Sequence, residues 1–174
     1  LIAGTNVYVN NIVAGDGSID TLMVVAKGTK NVTSVVDTNQ VGQGSVTPVS
    51  TPSGYINIQS TTIVAAEFEL RALRDIFVKT TNNLTLNGFV GGLEGFNKAV
   101  NITIDTGSAT LTVPSGIVSA SGELTLRAGS ISSSSGAIFI ANHIDAQASG
   151  AILLNTLTAT LDATSSGSGA IRIN

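Results

Sequence analysis

Gly136-Ala137-Ile138-Phe139-Ile140, Gly150-Ala151-Ile152-Leu153-Leu154 and Gly169-Ala170-Ile171-Arg172-Ile173 are three versions of one phrase. In each, a glycine opens an alternation of large apolar residues, as in a short strand that leaves a tight turn. The same two-residue alternation runs backwards through the chain at Leu124/Leu126, Leu111/Val113, Ile102/Ile104, Leu84/Leu86, Ile76/Val78, Phe68/Leu70, Ile56/Ile58 and Val7/Val9. Each pair marks a strand with one buried face.

The offsets between these strands are the stronger signal. Ile56 to Ile76, Ile58 to Val78, Leu111 to Ile131 and the series Leu84, Ile104, Leu124, Ile144 all step by 20 residues, whereas Ile138 to Leu157, Ile152 to Ile171 and Leu154 to Ile173 step by 19. A constant step of this size predicts stacked coils, each holding two or three short strands, with like side chains forming ladders inside. The expected fold is all-β, a parallel β-solenoid with coils of about 20 residues. The alternative is a β-sandwich, pilin-like subunit in which Leu1 to Val13 would project from the body. Residues Ala65 to Asp75 fit a helix by composition, but the alternation of Phe68, Leu70 and Ala72 with Glu67, Glu69 and Arg71 favours a strand.

Composition agrees with this architecture. Of 174 residues, 43% are hydrophobic but only 4% are aromatic, and tryptophan is absent, so Ile, Leu, Val and Ala must fill the core. Charged residues make up 11%, which leaves the surface to Ser, Thr, Asn and Gly. A net charge of −3 with scattered basic residues argues against nucleic acid as a partner. No apolar run approaches the roughly 20 residues of a membrane span, and nothing resembles a signal peptide. A chain starting at Leu1 rather than Met reads as a processed product or an excised segment.

The organisation divides into an irregular β cap or N-terminal coils over 1–41, a Pro/Gly/Ser loop over 42–54 with Pro48 and Pro52 exposed, and solenoid repeats over 55–174. The last strand, Ile171 to Ile173, has no capping segment after it. We therefore expect the repeats to continue in the full protein or a partner to cover that end.

Phe68-Glu69-Leu70-Arg71-Ala72, Asp75-Ile76-Phe77-Val78, Asn83-Leu84-Thr85-Leu86-Asn87-Gly88 and Gly122-Glu123-Leu124-Thr125-Leu126-Arg127-Ala128-Gly129 carry a resemblance. Together with the Gly-Ala-Ile phrases, they resemble the repeats of filamentous-haemagglutinin-like secreted proteins, over roughly residues 53–174. The resemblance implies a right-handed parallel β-helix on a bacterial surface, serving as adhesin, filament or matrix component. It implies the shaft rather than the secretion domain, since no Asn-Pro-Asn-Gly segment occurs, and it supplies no catalytic residues.

Candidate chemistry is sparse. Glu67 and Glu69 alternate beside Arg71, Arg74 and Asp75, a cluster that an acid/base pair or calcium would need but that an ion-pair ladder also produces. Asp16-Gly17-Ser18-Ile19-Asp20 reads as an Asp-Gly turn, because it lacks the closing acid of a calcium loop. His143, the single histidine, shares a strand face with Asp145, and Ser132 to Ser135 lie where the adjacent coil could bring a hydroxyl. No Gly-x-Ser-x-Gly elbow marks a nucleophile. With no cysteine and one histidine, no metal site is expected, and no cofactor. Thr110/Thr112 and Thr158/Thr160 do not recur coil after coil as an ice-binding array would. Asn31, Asn83 and Asn101 head glycosylation sequons.

The functional expectation is therefore a non-enzymatic, structural or adhesive segment of an extracellular filament or cell-surface adhesin. Its partners would be other copies or continuing repeats, with carbohydrate or a neighbouring cell surface as ligand. Assembly would run through Val7 and Val9 at one end and Ile171 and Ile173 at the other. The competing readings are a polysaccharide-degrading β-helix enzyme and a donor-strand filament subunit.

Overall fold

A computed structural model describes residues 2–3, 7–10, 21–26, 55–61, 63, 67–92 and 101–174, with the side chain of Val24 alone before Tyr55. In chain order the strands are β1 (Ile2–Ala3), β2 (Val7–Asn10), β3 (Thr21–Ala26), β4 (Ile56–Ser60), β5 (Glu67–Ala72), β6 (Ile76–Thr80), β7 (Leu84–Thr85) and β8 (Gly88–Gly92). They continue as β9 (Ile102–Asp105), β10 (Thr110–Ser119), β11 (Glu123–Ala128), β12 (Ser130–Ala148), β13 (Ile152–Leu154), β14 (Thr156–Ser165) and β15 (Ile171–Ile173). Among the described residues there is no helix, and every strand pairing is parallel. Of the stretch 65–75, Glu67–Ala72 forms a strand rather than a helix. The β-sandwich alternative fails here, because pilin-like sandwiches are built from antiparallel pairs. The chain is a parallel β-solenoid of about five turns with coils of about 20 residues.

The pairings sort into three faces, which the described coils from β6 onward visit in the same order. The first face stacks β2, β4, β6, β9, β11 and the C-terminal parts of β12 and β14. The second stacks β7, the start of β10, the start of β12, β13 and β15. The third stacks β1, β3, β5, β8, the end of β10, the middle of β12 and the start of β14. The long strands β10, β12 and β14 are runs that turn a corner without breaking the ladder. Between Val113 and Ser115 the register slips by one residue, a bulge that makes the bend.

Inside, the ladders are continuous. Ile56, Ile76, Ile102, Leu124 and Ile144 stack in register on the first face, and each is 0–1% exposed. Leu84, Leu111, Ile131 and Ile152 do the same on the second face. Leu70, Val90, Val118 and Phe139 line the third. Burying each such side chain contributes about 1.5–3 kcal/mol, which is why a core almost without aromatics suffices. Hydroxyls that turn inward near corners bond backbone carbonyls. Thr80 Oγ1 donates to Thr61 O (2.8 Å), Thr106 Oγ1 to Ala109 O (2.8 Å) and Ser133 Oγ to Leu153 O (3.0 Å).

Several sequence-derived ladders are confirmed: Ile56 on Ile76, Ile58 on Val78, Leu111 on Ile131, Leu124 on Ile144, Ile152 on Ile171 and Leu154 on Ile173. Others are corrected. Leu84 stacks on Leu111 rather than Ile104, and Leu124 lies on Ile102, because coil length here departs from 20 residues. Ile138 does not meet Leu157. Ile140 does, and the opening phrase at 136–140 runs in the opposite phase, with Ala137, Phe139 and Ala141 inward and both isoleucines half-buried outside. An Ala-Ile-Phe-Ile-Ala run is apolar on both faces, so alternation alone leaves its phase open and the corner decides it.

At the corner entering the third face, Gly88 (φ 119°) and Gly116 (φ 107°) are stacked in register. A Cβ on Gly116 would overlap the Gly88 carbonyl oxygen, whereas one on Gly107 (φ 60°) would meet open space. We therefore expect Gly116→Ala to cost about 3 kcal/mol or more in denaturant unfolding, against about 1–2 kcal/mol for Gly107→Ala. Equal losses at the two positions would show that stacking adds nothing to the dihedral penalty.

Candidate functional site

The described interior is apolar apart from a few hydroxyls such as Thr80, Thr106 and Ser133, which are spent on backbone carbonyls, so recognition falls to the outward residues, and the three faces differ in chemistry. The first face carries ions. Register places Lys79 beside Asp105 and Asp105 beside Arg127. Lys79 Nζ lies 3.6 Å from Asp105 Oδ2, and Arg127 Nη2 lies 3.0 Å from Asp145 Oδ2. Gln147 Nε2 also donates to the Asp145 carboxylate. One rung on, His143 Nδ1 is 2.8 Å from Thr160 Oγ1, and its Nε2 is 3.6 Å from Asp162 Oδ2. The Lys79–Asp105–Arg127–Asp145 ladder was not legible in sequence, because its members come together only through the strand register.

The second face is hydroxylic at its centre. Thr110 Oγ1 and Ser130 Oγ are 3.1 Å apart, and Thr112 stands beside Ser132. The series passes to Leu153 and Arg172 in the following rungs, so it does not form an extended threonine array.

On the third face, Glu69 Oε1 accepts from Arg71 Nε at 2.7 Å, and the Arg71 guanidinium lies 4.2 Å over the Phe89 ring. Beside them is an open groove of about 310 Å³ lined by Glu67, Glu69, Arg71, Phe89 and Ile117 and floored by Gly88 and Gly116. The carboxylate cluster singled out in the sequence thus resolves into an ion pair plus a cation–π contact. Asp75 belongs elsewhere: its Oδ1 accepts from the backbone N–H (2.9 Å) and side-chain amide (3.2 Å) of Asn101. Beyond Glu69 the outward residues of this face become apolar: Phe89, Ile117 and Ile138 in one column, Ile140 and Leu157 in the next.

The remaining candidates fall as follows. The serines do not approach His143, since Ser133 Oγ donates to Leu153 O and Ser134 Oγ to Pro114 O. No group of three His, Cys, Asp or Glu that could hold a metal occurs among the described residues. Asn83 and Asn101 are both exposed, and their Oδ1 atoms accept backbone N–H bonds from Thr110 (2.9 Å) and Glu123 (3.0 Å) in the next coil. Val7 and Val9 pair with Ile56 and Ile58. Asp16 to Asp20, Asn31, Pro48 and Pro52 lie outside the described residues.

What these features define is a class, the parallel β-solenoid, with differentiated faces and no converging catalytic set among the described residues. Comparison with protein-family models, curated proteins and solved structures finds no match.

Arg127 and Asp145 are 42% and 20% exposed in their side chains, so their pairing is only partly shielded from water. Arg127→Gln should lower unfolding free energy by about 1 kcal/mol or less, and high salt should shrink the difference. Denaturant melts at two salt concentrations check this. A larger, salt-independent loss would mean that the arginine stem acts by packing.

Proposed function

We propose that this chain is a structural or adhesive segment of an extracellular filament or surface adhesin, assembling through its solenoid ends. The observation that carries the proposal is the contrast between the last two rungs of the second face. Ile152 and Leu154 are fully buried, whereas Ile171 and Ile173, which occupy the same inward positions one rung on, are 45% and 37% exposed. Leu161 and Ala163 on the first face are likewise only partly covered. A further rung, from the same chain or from another copy, would bury these side chains and take up the free ladder groups of β14 and β15. The backbone presented there has the same parallel register as every rung before it, so addition requires no change of fold.

Three further features support the reading. The carboxylates that an enzyme would need are engaged structurally, Glu69 with Arg71, Asp105 with Lys79 and Asp145 with Arg127. The hydroxyl, amide and ion-bearing faces suit adhesion to carbohydrate or a neighbouring surface. The resemblance to filamentous-haemagglutinin-like repeats points to an extracellular shaft. No specific observation favours the lyase or hydrolase reading.

Negative-stain microscopy and light scattering test the proposal. The chain should form end-to-end oligomers, and Ile171→Lys/Ile173→Lys should reduce it to monomers while its melting free energy changes by about 1 kcal/mol or less. A monomer at every concentration, or oligomers untouched by the double substitution, would remove end assembly as the mechanism.

A further inference from the structure

We propose that Asn83 is an acceptor for N-linked glycosylation in the folded chain, and that Asn101, which heads the same kind of sequon, is closed to it by the fold. The sugar would come from a diphosphate-activated donor through a separate transferase. The site lies on the second face and stands independently of assembly at the solenoid ends.

An asparagine takes a sugar through its side-chain nitrogen, with the hydroxyl two residues on as the other half of the recognised unit. In both Asn83-Leu84-Thr85 and Asn101-Ile102-Thr103 the middle residue is fully buried and the two polar residues turn outward, as strand alternation requires. The two sites differ in what holds the amide.

At Asn101 both ends of the amide are spent. Nδ2 donates to Asp75 Oδ1 (3.2 Å) in the preceding rung, and Oδ1 accepts from the Glu123 N–H (3.0 Å) in the following one. Asp75 Oδ1 also takes the Asn101 backbone N–H at 2.9 Å, which holds the carboxylate against the nitrogen that would have to react. Turning that nitrogen toward an enzyme breaks a bond to a charged acceptor, the stronger class of hydrogen bond. Thr103 is half-buried, with Phe77 and Thr125 beside it in register.

Asn83 is tied by one end only. Its Oδ1 accepts from the Thr110 N–H at 2.9 Å, while Nδ2 has no hydrogen-bond partner among the described residues. The bond fixes the carbonyl end and leaves the nitrogen free. Glycosylation keeps the carbonyl, so the Thr110 bond persists in the product. Thr85 is exposed as well, and the next rungs offer only short side chains, Thr110 and then Ser130. Around Asn101 stand Asp75, Glu123 and, one rung further, His143. A sugar on Asn83 has room over hydroxyls, whereas one on Asn101 would have to displace a column of ionisable groups.

In the transfer, Asn83 Nδ2 bonds to the anomeric carbon and the bond from that carbon to the diphosphate oxygen breaks. The diphosphate leaves with the electron pair, and the displaced amide proton passes to a base of the transferase. The linkage lies four rungs from β15 along the second face, through β10, β12 and β13. At about 4.8 Å per rung that is roughly 19 Å, so a glycan at Asn83 leaves the edge at Ile171 and Ile173 open.

The test uses folded chain carrying Asn31→Gln, so that only the sequons at Asn83 and Asn101 are read. One arm supplies a soluble N-glycosyltransferase with UDP-glucose, the other a membrane oligosaccharyltransferase with a lipid-linked oligosaccharide. Both enzymes are chosen for acting on synthetic peptides of the two sequons, and the arm that transfers identifies the donor. Peptide mapping by mass spectrometry should show Asn83 modified about tenfold or more faster than Asn101, the cost of freeing a charge-assisted hydrogen bond. Asn83→Gln should leave the folded chain unmodified. Asp75→Ala, with its strand signal unchanged by circular dichroism, should raise the rate at Asn101. A folded chain left bare at Asn83 in both arms, or modified equally at the two asparagines, overturns the proposal. An Asn101 rate unmoved by Asp75→Ala overturns the part assigned to the Asp75 bond. None of these results bears on whether the chain forms filaments through its ends.

Discussion

Along the described ladders, inward side chains of this solenoid rest on the inward side chains of the neighbouring rung, and that stacking is the constraint from which the rest follows. A parallel ladder places equivalent positions of successive coils about 4.8 Å apart. A polar or oversized residue at one inward position would therefore disturb two neighbours at once. This explains why Ile56, Ile76, Ile102, Leu124 and Ile144 are all branched aliphatics of similar size. It also explains why the core manages with few aromatics. Phe68 and Phe139 are the largest fully buried side chains, and Phe139 sits beside Ala137 and Ala141, which leave it room on the same strand.

The outward residues escape that constraint, and their differences carry the functional argument. On the first face, parallel register brings residues distant in sequence into a ladder of alternating charge. On the third, a pair of stacked glycines empties a corner and leaves Phe89 and Ile117 standing beside bare backbone. One scaffold thus carries a charged side and, on another face, apolar side chains turned outward.

Much of the architecture was legible in the sequence because the solenoid writes its period into the chain. The steps from Ile56 to Ile76, Leu111 to Ile131 and Ile152 to Ile171 were correct where no insertion lies between the coils. The errors have a common physical origin. An inward position asks only for an apolar residue, so in a chain rich in Ile and Leu a constant step finds apolar partners even where the true coil is longer. Leu84 and Leu124 were assigned to Ile104 for that reason. The candidate cluster around Glu67 and Glu69 was visible in sequence. Its resolution into an Arg71 ion pair under a cation–π contact depended on Phe89, which comes from the next coil.

The sequence by itself determined the all-β class, the strand positions, the approximate coil length and the inward identity of most ladder residues, because alternation and period are local or evenly spaced signals. Only the tertiary structure decided the phase of the Gly136 to Ile140 phrase, the true partner of each irregular coil, and which charges meet. Those depend on where a corner bulges and how many residues a coil spends between strands. Neither quantity leaves a pattern in hydrophobicity, since a one-residue slip turns an apolar residue outward without changing its chemistry.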